Sequence, residues 1–161
     1  MVVSRLPFAP RLVASLLALW GSGALAKPWQ GITPGGSSGI DVVGKFGEPS
    51  KKIDAKGLEV LIYTGEKAIK GTVQAQFKCD PTTKEVQRID VYPAPVLDVA
   101  AIEKGYGPGC ETNKAAEPCY WKKETPQKRP YFLYAKLGLA VFFKEDNTVQ
   151  SFTFLPPAAD K

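Results

Sequence analysis

Histidine is absent from all 161 residues of the chain. Ser-His-Asp and Cys-His nucleophilic arrangements are therefore impossible, and so is the side chain that most often serves as a general base near neutral pH. Carboxylate pairs alone can carry out glycoside hydrolysis, but nothing in the sequence places two of them together. We therefore expect a protein that is not an enzyme.

Metal and nucleotide motifs are missing as well. Three cysteines without a histidine and without CxxC spacing do not form a zinc site. The glycine-rich stretch 105–109 lacks the Lys-Ser/Thr pair of a phosphate-binding loop, and Pro108 within it favours a helix-ending turn. We expect neither a metal nor a cofactor.

Positive charge is modest and scattered along the chain. There are 21 Lys and Arg against 16 Asp and Glu, a formal net charge of +5, and the lysines alternate with acids instead of forming a stripe. Because nucleic-acid binding draws its affinity from clustered phosphate contacts, this pattern disfavours a nucleic-acid partner.

Long hydrophobic runs are also scarce, and the clearest one is short. It covers residues 12–20, follows Arg5 and Arg11, and precedes the small-x-small sequence of residues 24–26. A permanent membrane span needs roughly 20 apolar residues. The pattern instead predicts a cleaved signal peptide over residues 1–26, and with it export to the periplasm, the outer-membrane periphery or the exterior.

The cysteine spacing agrees with export. A polar loop separates Cys110 from Cys119 and is well suited to closure by a disulfide in an oxidising compartment. Cys79 is then unpaired. It is interpreted as an inert, partly buried thiol, with a mixed disulfide or a different pairing among the three cysteines left open.

A near-repetition predicts the fold class. The segment from Val86 to Pro93 reappears from Val149 to Pro156, and an apolar alternation precedes both copies. Self-similarity of this kind indicates one supersecondary unit used twice. We therefore predict an α+β fold of two tandem repeats, 27–95 and 96–157, followed by a tail at 158–161. Each repeat would be a short helix and an antiparallel meander of three to four strands, and together they would form a two-layer sandwich.

Local patterns place the elements of both repeats. Apolar residues at helical spacing predict short helices near 40–46 and from residue 96 to the glycines at 105–109. Alternating apolar, β-branched and aromatic residues predict strands. The predicted strands are 58–64, 71–78, 85–92, 120–123, 131–135, 137–144 and 148–155.

The two copies differ on the side of the strand expected to face outward. Arg88, Asp90 and Tyr92 of the first copy correspond to Ser151, Thr153 and Leu155 of the second. The first copy therefore presents a charged row, and we expect a polar partner to bind there.

Short motifs in the first repeat resemble a known family. Gly31-Ile32-Thr33-Pro34, Asp41-Val42-Val43 and Phe46-Gly47-Glu48-Pro49 are similar to the pattern of the SmpA/OmlA outer-membrane assembly lipoproteins. Two such units in tandem resemble the β-lactamase inhibitor protein family, whose members are small, secreted and carry a short-range disulfide in each unit. This chain departs from both patterns. Lys27, not the cysteine of a lipoprotein, comes immediately after the predicted cleavage site, and only the second repeat has a disulfide candidate.

The resemblance implies a protein-binding module with a concave sheet lined by aromatic side chains. It implies that Tyr63, Tyr92, Tyr120 and Trp121 face outward and bind a partner. The charged row of the first copy adds Arg88 and Asp90 to these candidate residues. We therefore predict a secreted or periplasmic accessory subunit of a bacterial envelope complex, of unspecified oligomeric state, whose partner is another envelope or secreted protein. One alternative is an inhibitor of a secreted hydrolase such as a β-lactamase. Another is a glycan or small-ligand module in which Trp29 and Trp121 stack on a sugar ring.

Overall fold

The computed structural model describes residues 26–111 and 118–156. The body of the predicted signal peptide and the predicted tail at 158–161 lie outside these ranges. No helix within the described ranges is long and apolar enough to cross a membrane.

Each helix precedes a group of four strands along the chain. The order is α1 (Gly39–Phe46), β1 (Lys51–Ala55), β2 (Leu58–Thr64), β3 (Thr72–Cys79), β4 (Val86–Pro93), α2 (Val99–Tyr106), β5 (Trp121–Glu124), β6 (Pro130–Tyr134), β7 (Leu139–Phe143) and β8 (Val149–Phe154). Both predicted helices and all seven predicted strands are present, with ends that differ by up to three residues. β1 was not predicted, because its sequence KKIDA has no apolar alternation and it lies exposed at an edge.

The predicted assembly of these elements is wrong. All eight strands form one antiparallel sheet in the order β1-β2-β3-β4-β8-β7-β6-β5. The fold is dominated by this sheet, and its two helices have only eight residues each. Two tandem helix-plus-meander units in a two-layer sandwich are therefore not what the chain forms. Strand pairing between β4 and β8 makes the sheet continuous, and the repeat boundaries at 27–95 and 96–157 stay a prediction.

The two similar segments, which form β4 and β8, pair with each other at the centre of the sheet. Ile89 lies opposite Phe154, Asp90 opposite Thr153, and Val91 opposite Phe152. The apolar alternation that the segments share places Ile89, Val91 and both phenylalanines on one face, because side chains of a strand alternate between faces. The similarity of the two sequences thus provides matching faces on both sides of the β4/β8 seam.

Both helices pack on this apolar face, which we call the covered face. Val42 of α1 and Ile102 of α2 are buried in one core with side chains from the strands. Burial of each large side chain contributes about 1.5 to 3 kcal/mol, so this core supplies the main stabilisation. Its largest fully buried side chains are Tyr63, Tyr134, Phe77, Ile89, Ile102 and Leu139.

A tyrosine secures the end of each helix to the sheet. Ser38 caps the start of α1 through a capping box with Asp41, and Asp98 caps α2. At the other ends, the Tyr63 hydroxyl donates to the Gly47 carbonyl at 2.7 Å and the Tyr134 hydroxyl donates to the Gly107 carbonyl at 2.8 Å. These bonds satisfy carbonyls at helix ends that would otherwise lack partners.

Tyr134→Phe removes one of these bonds and leaves the ring in place. We expect a loss of about 1 kcal/mol in the free energy of unfolding, the usual net value of a hydrogen bond. Tyr131→Phe is the matched control, because no described residue within 26–111 and 118–156 hydrogen-bonds its hydroxyl. Urea unfolding of both variants measures the difference; equal midpoints would contradict the proposed tyrosine bond.

The predicted disulfide between Cys110 and Cys119 is confirmed. Cys79 is a free, buried thiol, and burial raises its pKa to about 11. Because the thiolate is the reactive form, we expect the folded protein to react slowly with a thiol reagent at pH 8. After unfolding without reductant, titration should give one thiol per chain. Three thiols, or none, would contradict this pairing.

Candidate functional site

The face opposite the helices, which we call the open face, has no described helix or strand packed on it. The strand register places one row of side chains across all eight strands of this face: Lys51, Ile62, Gln76, Asp90, Thr153, Ala140, Leu133 and Trp121. The row is polar at its centre (Gln76, Asp90 and Thr153), apolar on the β5 side, and has one apolar residue, Ile62, followed by Lys51 at the β1 edge. An uncovered face of this composition is the natural place to look for a binding site.

A charged cluster lies at the centre of the open face. The Asp90 carboxylate accepts from Lys78 Nζ at 2.7 Å, from Arg88 Nε at 2.8 Å and from the Thr153 hydroxyl at 2.6 Å. Asp90 is only 4% exposed, whereas the side chain of Arg88 is 42% exposed. Because two cations and a hydroxyl hold the buried carboxylate, its oxygens are satisfied and the arginine is fixed in position.

Arg88 and Asp90 also line a cleft of about 310 Å³. The residues that line it come from β4, β7, β8 and the turn between β5 and β6: Arg88, Asp90, Tyr92, Thr125, Gln127, Arg129, Phe142, Phe143, Gln150, Ser151 and Thr153. β6 is the third strand from β4, a distance of ~14 Å in a flat sheet. Since the turn before β6 reaches the same cleft as β4, the open face is concave here.

The chemistry available in the cleft is hydrogen bonding and charge. Asp90 is the one carboxylate among its lining residues, so no carboxylate pair is present there. Burial and the nearby Asp90 charge raise the pKa of Tyr92 above the usual tyrosine value, which favours the hydroxyl form that donates a hydrogen bond. Within the part of the chain that the structure describes, no group of three or more Cys, Asp and Glu could hold a metal ion. The cleft suits recognition of a polar group.

Three of the six predicted partner-binding residues lie together. Arg88, Asp90 and Tyr92 line the cleft, as the period-two alternation of β4 predicts. Trp121 is 44% exposed on the edge strand β5 and lines a second pocket, of about 450 Å³, beside the disulfide. Trp29 packs against Phe77 on the covered face, so the structure does not bring the two tryptophans proposed for a glycan into one site.

The prediction that Tyr63 and Tyr120 face outward is wrong. Tyr63 is fully buried beside Phe77, and its hydroxyl is used at the end of α1. Tyr120 is 5% exposed and stacks on Phe132 with ring centroids 3.7 Å apart, while its hydroxyl donates to Glu103 at 2.7 Å. Each ring belongs to the core and each hydroxyl has a partner, so neither is available to another molecule.

Arg129 is a site residue that the sequence interpretation missed. Arg129 is the last residue of the basic run that begins at Lys122, and this run has the composition of an ordinary solvated loop. The signal that singles it out is its residue type: after residue 26 the chain has only two arginines, Arg88 and Arg129.

Comparison with known proteins identifies one similar fold and no family. No protein-family model matches the chain, and neither does any curated protein. A crystal structure of a DUF4309 family protein (YjgB) from Bacillus subtilis is similar with a TM-score of 0.55 and 16% identity, covering 80% of this chain and 86% of that one. A cysteine-rich secretory protein (SAV1118) from Staphylococcus aureus matches with a TM-score of 0.42 and 10% identity, over 74% of this chain and 44% of that protein. The first of these likenesses concerns the fold alone.

Proposed function

We propose that this chain is an exported, non-enzymatic protein-binding module that binds its partner on the open face. The observation that carries the proposal is the row of side chains that crosses all eight strands of this uncovered face. Seven strand spacings give ~34 Å measured along the sheet from β1 to β5. A surface of that size matches a protein partner, since standard interfaces bury about 800 Å² on each side.

The side chains of the open face also have the composition of an interface. Tyr131 and Phe142 stack with ring centroids 5.0 Å apart, and Trp121 is exposed at the edge. Aromatic and arginine side chains dominate binding energy at protein interfaces. Arg88 and the aromatic residues around the cleft therefore provide both orientation and contact area.

The cellular setting of the proposal is the bacterial envelope. A disulfide is formed and maintained in oxidising compartments, so the bond between Cys110 and Cys119 fits an exported protein. Together with the signal peptide predicted for residues 1–26, it supports a periplasmic or secreted accessory subunit of an envelope complex.

The concave shape at the cleft favours one second candidate, an inhibitor of a secreted hydrolase. A concave face with an aromatic border can enclose a protruding loop of an enzyme. Assays of secreted β-lactamases and peptidoglycan hydrolases with the purified protein address this candidate directly. Inhibition that Phe142→Ala abolishes would assign the open face to an enzyme partner.

Site-specific photocrosslinking in intact cells tests the proposed function. A benzoylphenylalanine at Phe142 lies on the open face, and one at Val96, which is 80% exposed in the connection before α2, is the control. We expect one discrete protein adduct from position 142 and none from position 96. An adduct from position 96 alone, or retention of a glycan without any protein adduct, would refute protein binding on the open face.

A further inference from the structure

Both arginines found after residue 26 line the same cleft. The chain has 21 Lys and Arg in total, and Arg5, Arg11, Arg88 and Arg129 are its four arginines. Lysine occupies every other basic position after residue 26. Arg88 comes from β4 and Arg129 from the turn before β6, so the fold brings together two residues that are 41 positions apart.

Arginine and lysine are not equivalent in such a place. The guanidinium is planar and presents five donors in a rigid fork that matches a carboxylate or phosphate in a bidentate manner. The ammonium of lysine is a flexible point charge. Two arginines in one cleft of a lysine-rich chain therefore indicate recognition of a planar or multidentate anion.

The first arginine is held ready for such a ligand. Arg88 uses Nε and Nη2 to bind Asp90, and Nη2 also lies 3.4 Å from the Thr153 hydroxyl. No described residue hydrogen-bonds Nη1, so one edge of the guanidinium is fixed and the other is available. Preorganisation of this kind lowers the entropy cost of binding.

The second arginine lacks a counter-ion. Within residues 26–111 and 118–156, no carboxylate lies within salt-bridge distance of the Arg129 guanidinium, and the residue is held instead by a hydrogen bond from its backbone amide to the Thr125 hydroxyl. The remaining polar side chains of the cleft are neutral, and Asp90 is already neutralised by two cations. The cleft therefore carries a net positive charge, and Arg88 Nη1 and the Arg129 guanidinium provide hydrogen-bond donors for a ligand.

We propose that the cleft binds the carboxylate of an aspartate or glutamate side chain in an acidic segment of the partner protein. This inference rests on the proposed function and specifies the chemistry of the partner. A volume of about 310 Å³ is at the lower end for ligand sites and accommodates one acidic side chain with its neighbours. Phe142 at the cleft and Tyr131 stacked on it provide apolar contacts for the residues that flank the acid.

The two arginines also provide a specific test, because the exported protein has two Arg Nε–H signals in its NMR spectrum. The probe is a capped pentapeptide with a central glutamate between two phenylalanines, and its glutamine counterpart is the matched control. We expect the glutamate peptide to shift both Nε–H signals and the amides of Tyr92 and Ser151, and the glutamine peptide to bind at least tenfold more weakly.

Variants of Arg129 separate the effect of the guanidinium geometry on peptide binding from the effect of its positive charge. Arg129→Gln should weaken binding of the glutamate peptide at least tenfold, and Arg129→Lys should weaken it about three- to tenfold. Lys122→Gln, on the same hairpin but opposite Phe132 of the covered face, removes the same charge and should change binding less than twofold. Arg129 variants keep the Asp90 cluster intact, so their folding can be verified by unchanged amide spectra.

Three outcomes would overturn the inference. They are equal binding of the glutamate and glutamine peptides, equal weakening by Arg129→Gln and Lys122→Gln, and inorganic phosphate that displaces the peptide at equal concentration. Crosslinking from position 142 distinguishes a failure of acidic side-chain recognition from a failure of protein binding on the open face. If the adduct forms while the peptide does not bind, the open face binds a protein by other chemistry.

Discussion

Gly107→Ala is expected to destabilise the protein by about 3 kcal/mol or more, among the larger effects of a single substitution. Gly107 caps the end of α2 with φ +108°, a conformation that non-glycine residues rarely adopt. An added Cβ would also collide with the backbone carbonyl of Pro118, which cannot rotate away. The same residue supplies the carbonyl that Tyr134 binds, so the change displaces α2 from the sheet.

Gly105→Ala, two residues earlier, is the matched control. Gly105 lies inside α2, is exposed, and would bring an added methyl group within 4 Å of no atom beyond its own helix in the described part of the chain. Alanine is the better helix former by about 0.5 to 1 kcal/mol, so this variant should be slightly more stable than the natural chain. Thermal unfolding of both measures the contrast. A Gly107→Ala variant as stable as Gly105→Ala would contradict the observed end of α2.

Asp90→Asn should have the second-largest effect, a loss of about 2 kcal/mol. Removing one partner of a buried ion pair costs about 3 to 5 kcal/mol, and the partial exposure of Arg88 reduces that penalty. The amide retains the shape of the side chain and its contact with Thr153. The loss of unfolding free energy therefore measures the contribution of the Asp90 charge. Lys78 and Arg88 then lie beside each other without a counter-ion.

Glu59→Gln is the control for an exposed ion pair. Its carboxylate lies 3.0 Å from Lys84 Nζ, and both side chains are partly exposed, at 29% and 49%. Such pairs typically contribute about 0.2 to 1 kcal/mol, so urea unfolding should show a small change. Equal losses for Asp90→Asn and Glu59→Gln would mean that burial adds nothing to the central cluster.

Local elements are predictable because their signals are local. The β-branched and aromatic residues of segment 58–64 predict β2 with its observed ends, and Gly47 ends α1 as its residue type indicates. Hairpins follow from strands that are adjacent in sequence and joined by short turns. The pairing of β4 with β8 links residues more than 60 positions apart, and nothing in either strand alone specifies it. The repetition therefore predicts two separate units, whereas the last strand of each copy pairs with that of the other.

The candidate site is partly predictable for the same reason. Period-two alternation places Arg88, Asp90 and Tyr92 on one face of β4, and the structure has them there. Tyr63 lies in the strand LEVLIYT, where apolar residues occupy both faces and alternation cannot identify the outward one. Arg129 lines the cleft because the turn between β5 and β6 lies beside residues of β4 and β8, and no local pattern specifies that approach.

The most direct test of the open face as the protein-binding surface is the affinity of the crosslinked partner, once purified, for two tryptophan variants. Ser151→Trp places a large ring in the cleft, whereas Val96→Trp adds the same ring to an exposed connection. We predict that Ser151→Trp weakens binding at least tenfold and that Val96→Trp leaves it unchanged, as measured by isothermal titration calorimetry. Undiminished binding by a correctly folded Ser151→Trp variant would contradict this account.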